Sequence, residues 1–224
     1  MQRVHAEIRA CTLCALHVTR AQAVPGSGPS PPCDVMIVGE APGFNEDQQG
    51  EPFVGPAGRL LDTLLGQIGL SRREVFITNV LKCRPPQNRD PMPTEAEACL
   101  PYLRRQFTLL QPKAVLVLGG HALERMLPGV GPISRVHGQI FERMGVAFMP
   151  AYHPAAALRN TGLLDDLQKD FDRVRAHLER LREGEAGTAG EAGASGTAGE
   201  AGADPVATRP AAPSEPATEQ LRLI

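Results

Sequence analysis

Four short apolar runs punctuate the chain: Val35 to Gly39, Val75 to Val80, Ala114 to Leu118 and Val146 to Pro150. Continuous runs of this length, without alternation, suit strands buried on both faces of a parallel sheet. Between them the apolar spacing becomes helical. Leu60, Leu61, Leu64, Leu65 and Ile68 form a stripe that stops at Gly69, and Thr94 with Glu97 has the spacing of a capping box opening another helix. Leu167, Phe171, Val174, Leu178 and Leu181, spaced alternately four and three, predict a last amphipathic helix. Strands alternating with helices predict an α/β fold in three layers, a four-stranded parallel sheet with helices on both faces and right-handed crossovers.

Sheets of that kind bind ligands beyond the carboxyl ends of their strands, so the strand exits are where chemistry is sought. They read Gly39-Glu40-Ala41-Pro42-Gly43, Thr78-Asn79, Gly119-Gly120-His121 and Tyr152-His153-Pro154. In GEAPGFNED, glycine and proline stiffen a loop and Glu40 suits the orientation of a water, although the same residues also make a capped turn. His153, locked by Pro154 and followed by small residues, suits stabilisation of developing negative charge, as well as a plain hydrogen-bonded loop role. The Asn79 amide donates and accepts together, which reads the edge of a base or closes a turn. The first turn, GEAPGF, lacks the glycine spacing of a dinucleotide-binding loop.

From Gly184 to Glu219 the composition changes to Gly, Ala, Glu, Thr, Ser and Pro, with TAGEAGA at Thr188 recurring at Thr197. Such a segment buries too little apolar surface to offset its ordering, which predicts a disordered tether after a domain spanning 1–183. Glu185, Glu191, Glu200, Asp204, Glu215 and Glu219 face only Arg209 and Arg222 there, a net of −4, so the body carries +2 of the chain's −2. A weakly basic body permits a polyanionic partner without requiring one. No apolar run reaches membrane-spanning length, and the N-terminus lacks a signal-peptide core, so a cytoplasmic monomer without membrane contact is expected. Reduced thiols are then the rule, and cysteines are judged first as metal ligands.

Cys11 and Cys14 form a C-x2-C pair, with Cys83 and Cys99 far downstream. This pattern describes a site pinning the N-terminal segment to the body, and zinc and a 4Fe-4S cluster both accept four thiolates. Buried small hydrophobes are the plainer alternative, and Cys33, beside two prolines, is read as packing.

Together GEAPGFNED, EPFVGPAGRLL, ITNVLKCRPPQNRDP, the Cys99 helix and HPAAALRN resemble, in order, the family 4 iron-sulfur uracil-DNA glycosylases, from about Cys11 to about Arg182. The resemblance implies that Cys11, Cys14, Cys83 and Cys99 hold a structural 4Fe-4S cluster. It implies that Phe53 stacks on an extruded uracil, Asn79 bonds its Watson-Crick edge, Ala41 and Gly43 help bind it, and Glu46 excludes a thymine methyl. His153 would donate toward uracil O2, and Glu40 would orient the attacking water. The best-known branch of the superfamily carries an aspartate where Ala41 stands, and here the neighbouring carboxylate is Glu40. Another branch links covalently through a histidine in the loop after Cys83, and Arg84 to Pro91 contains none.

Leu158 or Arg159 is expected to fill the gap left by the flipped base, and Lys82, Arg84 and Arg89 are expected at phosphates. The reaction implied is hydrolysis without lyase chemistry and without metal participation. Rival readings are a glycosylase for another deaminated base and a non-catalytic iron-sulfur DNA-binding module. Gln220, Leu221, Leu223 and Ile224, in the last five residues, resemble the short peptides with which bacterial repair proteins hold the sliding clamp.

Overall fold

The computed structural model describes residues 1–191. In chain order the helices are α1 (Gln2–Ala10), α2 (Leu16–Thr19), α3 (Phe44–Gln49), α4 (Pro56–Gln67), α5 (Pro93–Leu110), α6 (Gly120–Met126), α7 (Ile133–Val136), α8 (Pro154–Arg159) and α9 (Leu164–Glu191). The strands are β1 (Val35–Gly39), β2 (Val75–Asn79), β3 (Ala114–Leu118), β4 (Phe141–Arg143) and β5 (Val146–Ala151), in the sheet order β2-β1-β3-β5-β4. The four expected strands are all present and mutually parallel; β4 is the addition, antiparallel to β5. Its three residues are partly exposed, too short and too polar to signal a strand. Met144 and Gly145 both take positive φ between β4 and β5, as a tight hairpin turn demands.

Successive strand residues face opposite layers. Met36, Val38, Phe76, Val115 and Val117 pack with Val4 and Ile8 of α1 and Leu103 and Leu110 of α5. Ile37, Ile77, Leu116 and Leu118 pack with Leu61, Leu64 and Leu65 of α4 and Leu167, Phe171, Val174 and Leu178 of α9. The three-layer expectation therefore holds. Two boundaries move. Helix α5 starts earlier than Thr94: Pro93 stands in its first turn and the Glu95 carboxylate accepts the Met92 N–H at 2.9 Å, so the Thr94–Glu97 box is not formed. Helix α9 continues to Glu191, so the composition change at residue 184 falls within it. The rest of the expected tether and the clamp-like peptide at 220–224 lie outside the described residues. Among the described residues no helix is long and apolar enough to cross a membrane.

The outer margin of β2 is met by Ser27, whose N–H and C=O pair with Ile77 at 2.9 and 2.7 Å. Between β1 and β3 the chain reverses its direction of travel across the sheet, because β2 lies on one side of β1 and β3 on the other. That reversal opens a crevice at the strand exits.

Candidate active site

A cleft of about 440 Å³ occupies that crevice, walled by residues from all four parallel strand exits: Glu40, Asn79, Gly119 and His153, with Phe53 and Glu46. Its deepest aromatic is Phe53, buried and held at a φ of 53°, a left-handed conformation unusual for a bulky side chain. Two features hold it. Arg72 donates to the carbonyls of both Pro52 and Phe53 while pairing with Asp62. Gly58 of α4 lies so close to the Phe53 carbonyl oxygen that a Cβ there would stand 1.6 Å from it. Gly39 performs a similar service, since a Cβ would fall 2.4 Å from Asn79 Oδ1 and 2.7 Å from the Phe53 ring. Neither glycine admits a side chain.

Asn79 ends β2 with its side chain buried and, among the described residues, its Oδ1 without a hydrogen-bond partner. A buried acceptor left open costs on the order of 1–3 kcal/mol, so it marks a place where a donor belongs. Its backbone carbonyl is fixed by Lys82, whose ammonium also bonds Thr78 Oγ1 and Gln106 Oε1, all at 2.6–2.8 Å. Lys82 is therefore not a phosphate contact. It is fully buried, and desolvation lowers its pKa to about 7.

His153 begins α8, where its Nδ1 accepts the Ala155 N–H at 3.1 Å. With Nδ1 used as an acceptor, the ring proton must sit on Nε2. Burial, aided by the charge of Arg159 and opposed by that of Glu46, lowers the imidazole to about 4, so it is neutral at pH 7. Its ring stacks beside Phe53 with centroids 5.5 Å apart. The pair forms one wall, a neutral donor next to an apolar face.

Glu46 sits in the first turn of α3 and joins both halves of the rigid loop. Its Oε1 accepts the N–H groups of Val54 and Gly55 at 2.9 Å, and its Oε2 accepts that of Gly43 at 3.1 Å. Ala41 and Gly43 line the cleft beside it. The neighbouring carboxylate, Asp47, turns the other way and accepts the Ala21 N–H of the N-terminal segment. Glu40 is half-buried, and its carboxyl is raised by burial.

At the rim, Leu158 is 49% exposed, which excludes a core-packing role, and Arg159 lines the cleft. Arg84 lies over the exposed Phe44 ring at 5.1 Å and bonds Asn88. Arg89 is committed to Glu95. Sequence reading missed Arg72 and the structural role of Lys82. Gly39 and Gly58 stood inside quoted motifs, whereas nothing near Arg72 announces its target twenty residues back.

Cys11, Cys14, Cys83 and Cys99 all line a second, small pocket between α1, α2, the β2 exit and α5. Arg20 donates to Cys83 Sγ at 3.0 Å and the Leu13 N–H to Cys11 Sγ at 3.5 Å. Burial raises the Cys83 thiol and lifts Cys99 to about 11, so a bound cationic group is what would draw off their protons. Among the described residues no three cysteine sulfurs come mutually within 4.8 Å. Four thiolates on one zinc would lie only about 3.8 Å apart, given Zn–S bonds of about 2.3 Å. The donor set, four thiols lining one pocket, suits either a single zinc ion or an iron-sulfur cluster. Cys33 is apart from this set, buried, and its thiol donates to the Val35 carbonyl, which is the packing role expected.

The model of the uracil DNA glycosylase superfamily matches residues 25–180, and the chain belongs to that superfamily. Within it the similarity is to type-4 members. The chain is 44% identical over 184 residues to the type-4 uracil-DNA glycosylase of Sulfurisphaera tokodaii, covering 78% of this chain and 83% of that one. It is 45% identical to the type-4 enzyme of Archaeoglobus fulgidus, covering 75% and 88%, and 38% identical to that of Thermotoga maritima, covering 75% and 92%.

Proposed function

We propose that this protein is a DNA-repair glycosylase that extrudes uracil from single- or double-stranded DNA and hydrolyses its N-glycosidic bond, leaving an abasic site. The observation that carries this reading is the unpartnered Asn79 oxygen at the floor of a cleft walled by Phe53 and neutral His153. Uracil N3–H is a donor suited to that oxygen, and the Asn79 amide N–H suits uracil O4. Cytosine would present an acceptor at N3 and an amino donor at position 4, opposing both.

Flipping costs a few kcal/mol of stacking and pairing, and contact with Phe53 returns about 1–3 kcal/mol. Exposed Leu158, with Arg159, fills the vacated gap. As the bond breaks, negative charge grows on the base. His153 Nε2–H opposes it, an effect of about 3–4 kcal/mol for one positioned donor. A neutral ring suits this task, since it donates without transferring its proton to the base. Glu40 orients the water that attacks the cation-like sugar. With no amine nucleophile assigned, the reaction ends at hydrolysis, without lyase chemistry.

Cys11, Cys14, Cys83 and Cys99 are proposed to hold a 4Fe-4S cluster whose role is structural. Arg84 is proposed at a phosphate. The enzyme is proposed to act as a cytoplasmic monomer, with Gln220, Leu221, Leu223 and Ile224 docking on a sliding clamp. Incubating purified protein with a uracil-containing oligonucleotide tests the central reading: free uracil and abasic sites are expected, and their absence from iron-loaded protein would overturn it. A pull-down with and without residues 220–224 tests the clamp contact; equal capture would end that part.

A further inference from the structure

The mechanism above uses one carboxylate of a larger polar group. Glu40 leaves β1, Asp90 lies in the loop before α5, and His121 is the second residue of α6. The carboxylate oxygens of Glu40 and Asp90 and a ring nitrogen of His121 all lie within 4.8 Å of one another, with His121 Nε2 3.4 Å from Asp90 Oδ1. Three remote parts of the chain converge on one point at the edge of the cleft. The group also spans the surface: Glu40 is half-buried, whereas the side chains of His121 and Asp90 are 45% and 81% exposed. An exposed His–Asp contact adds little to stability, so its position beside Glu40 is what calls for a role.

We propose that His121, oriented by Asp90, is a positioning residue for Glu40 and the exit for the proton of the attacking water. The proposal rests on the glycosylase reading and extends it. The water oxygen bonds to C1′ as the C1′–N1 bond breaks, its electron pair leaving with the base. The water's proton goes to the Glu40 carboxylate. From there it passes, directly or through one water, to the His121 ring and then to solvent, which restores the carboxylate for the next turnover. A buried base without such an exit must return its proton to the cleft.

The charged groups facing Glu40 are His121 of α6, Asp90 of the loop before α5 and Arg159 of α8. After burial, which raises the Glu40 carboxyl, His121 lowers it, Asp90 raises it and Arg159 lowers it. The two partners of Glu40 thus act in opposite directions, and that opposition gives the test. The experiment measures kcat and KM against pH on a uracil-containing single-stranded oligonucleotide, for the unsubstituted protein, His121→Asn and Asp90→Asn. The expected result for His121→Asn is a roughly tenfold fall in kcat, a fraction of the ~10²–10⁴ that a proton-transferring group supplies, with KM unchanged and the acid limb moved to higher pH. Asp90→Asn should move that limb to lower pH. Both side chains are exposed, so both variants should keep the parent's unfolding temperature. An acid limb that stays in place in His121→Asn, or that moves the same way in both variants, would overturn the proposal. Failure of the underlying reading shows itself separately, as no uracil release by the unsubstituted protein.

Discussion

At the cleft, the protein's own hydrogen bonds fix the working groups: three backbone amides hold Glu46, the Ala155 N–H sets the His153 tautomer, and Arg72 holds the backbone of Phe53. At the cysteine pocket four cysteines line one small cavity, Arg20 donates to Cys83, and burial holds Cys83 and Cys99 toward the thiol form. One region is preorganised by the protein's own bonds, and the other would be completed by the cluster proposed for it. They are nonetheless joined. Asp47, next to Glu46, anchors the N-terminal segment, and Lys82, next to Cys83, holds the carbonyl of Asn79.

The sharpest way to separate the regions is to remove a cysteine. Structural metal groups contribute on the order of 10 kcal/mol, comparable with the whole stability of a domain. Cys99→Ala should therefore lose iron and soluble protein together, read by iron assay and thermal unfolding; an iron-free variant with the parent's unfolding temperature would reduce the pocket to packing. His153→Ala should lower kcat by about 10²–10³-fold while DNA affinity and stability stay near the parent's, measured by single-turnover kinetics and binding. Unchanged turnover would remove His153 from the chemistry.

A smaller effect tests preorganisation itself. Glu46→Gln replaces one acceptor oxygen by a donor, so at least one of the three amides loses its partner, at a cost of about 1–3 kcal/mol in the denaturation midpoint. A neutral result would mean that the loop holds its shape without the carboxylate.

Acid provides a graded perturbation. His153 and His5 are each lowered to about 4 in the folded protein, so between about 6.5 and 4 the unfolded chain binds more protons and stability falls as pH falls. Glu40 and Asp170, both raised by burial, work the other way and offset part of this slope, and His5→Asn should flatten what is left while His153 keeps it from vanishing. The smallest effect is expected from Arg84→Ala, which should weaken DNA binding alike for all sequences and reduce its salt slope by about one.

The parallel strands are legible as short apolar runs, and β1 and β3 fall where the pattern puts them, whereas polar β4 gives no such signal. The order of motifs made the family legible as well. What stayed hidden depended on contacts made across long stretches of sequence. Lys82 reads as a surface cation because lysine is rarely buried; only Thr78, Asn79 and Gln106 folded around it give its ammonium a place inside. His121 and Asp90 stand in stretches the sequence singles out, but nothing in either announces the other, and only the crossover between β2 and β3 sets them beside Glu40. The start of α5 differs because Met92 and Glu95 form the opening that Thr94 and Glu97 imitate two residues later.

Both margins of the sheet are short: Ser27 bridges β2 at Ile77 on one side, and β4, three residues long, ends the other. Unpaired strand edges invite intermolecular pairing and aggregation. Margins this brief offer a second copy few backbone groups to pair with, which suits a protein that works crowded along a long polymer.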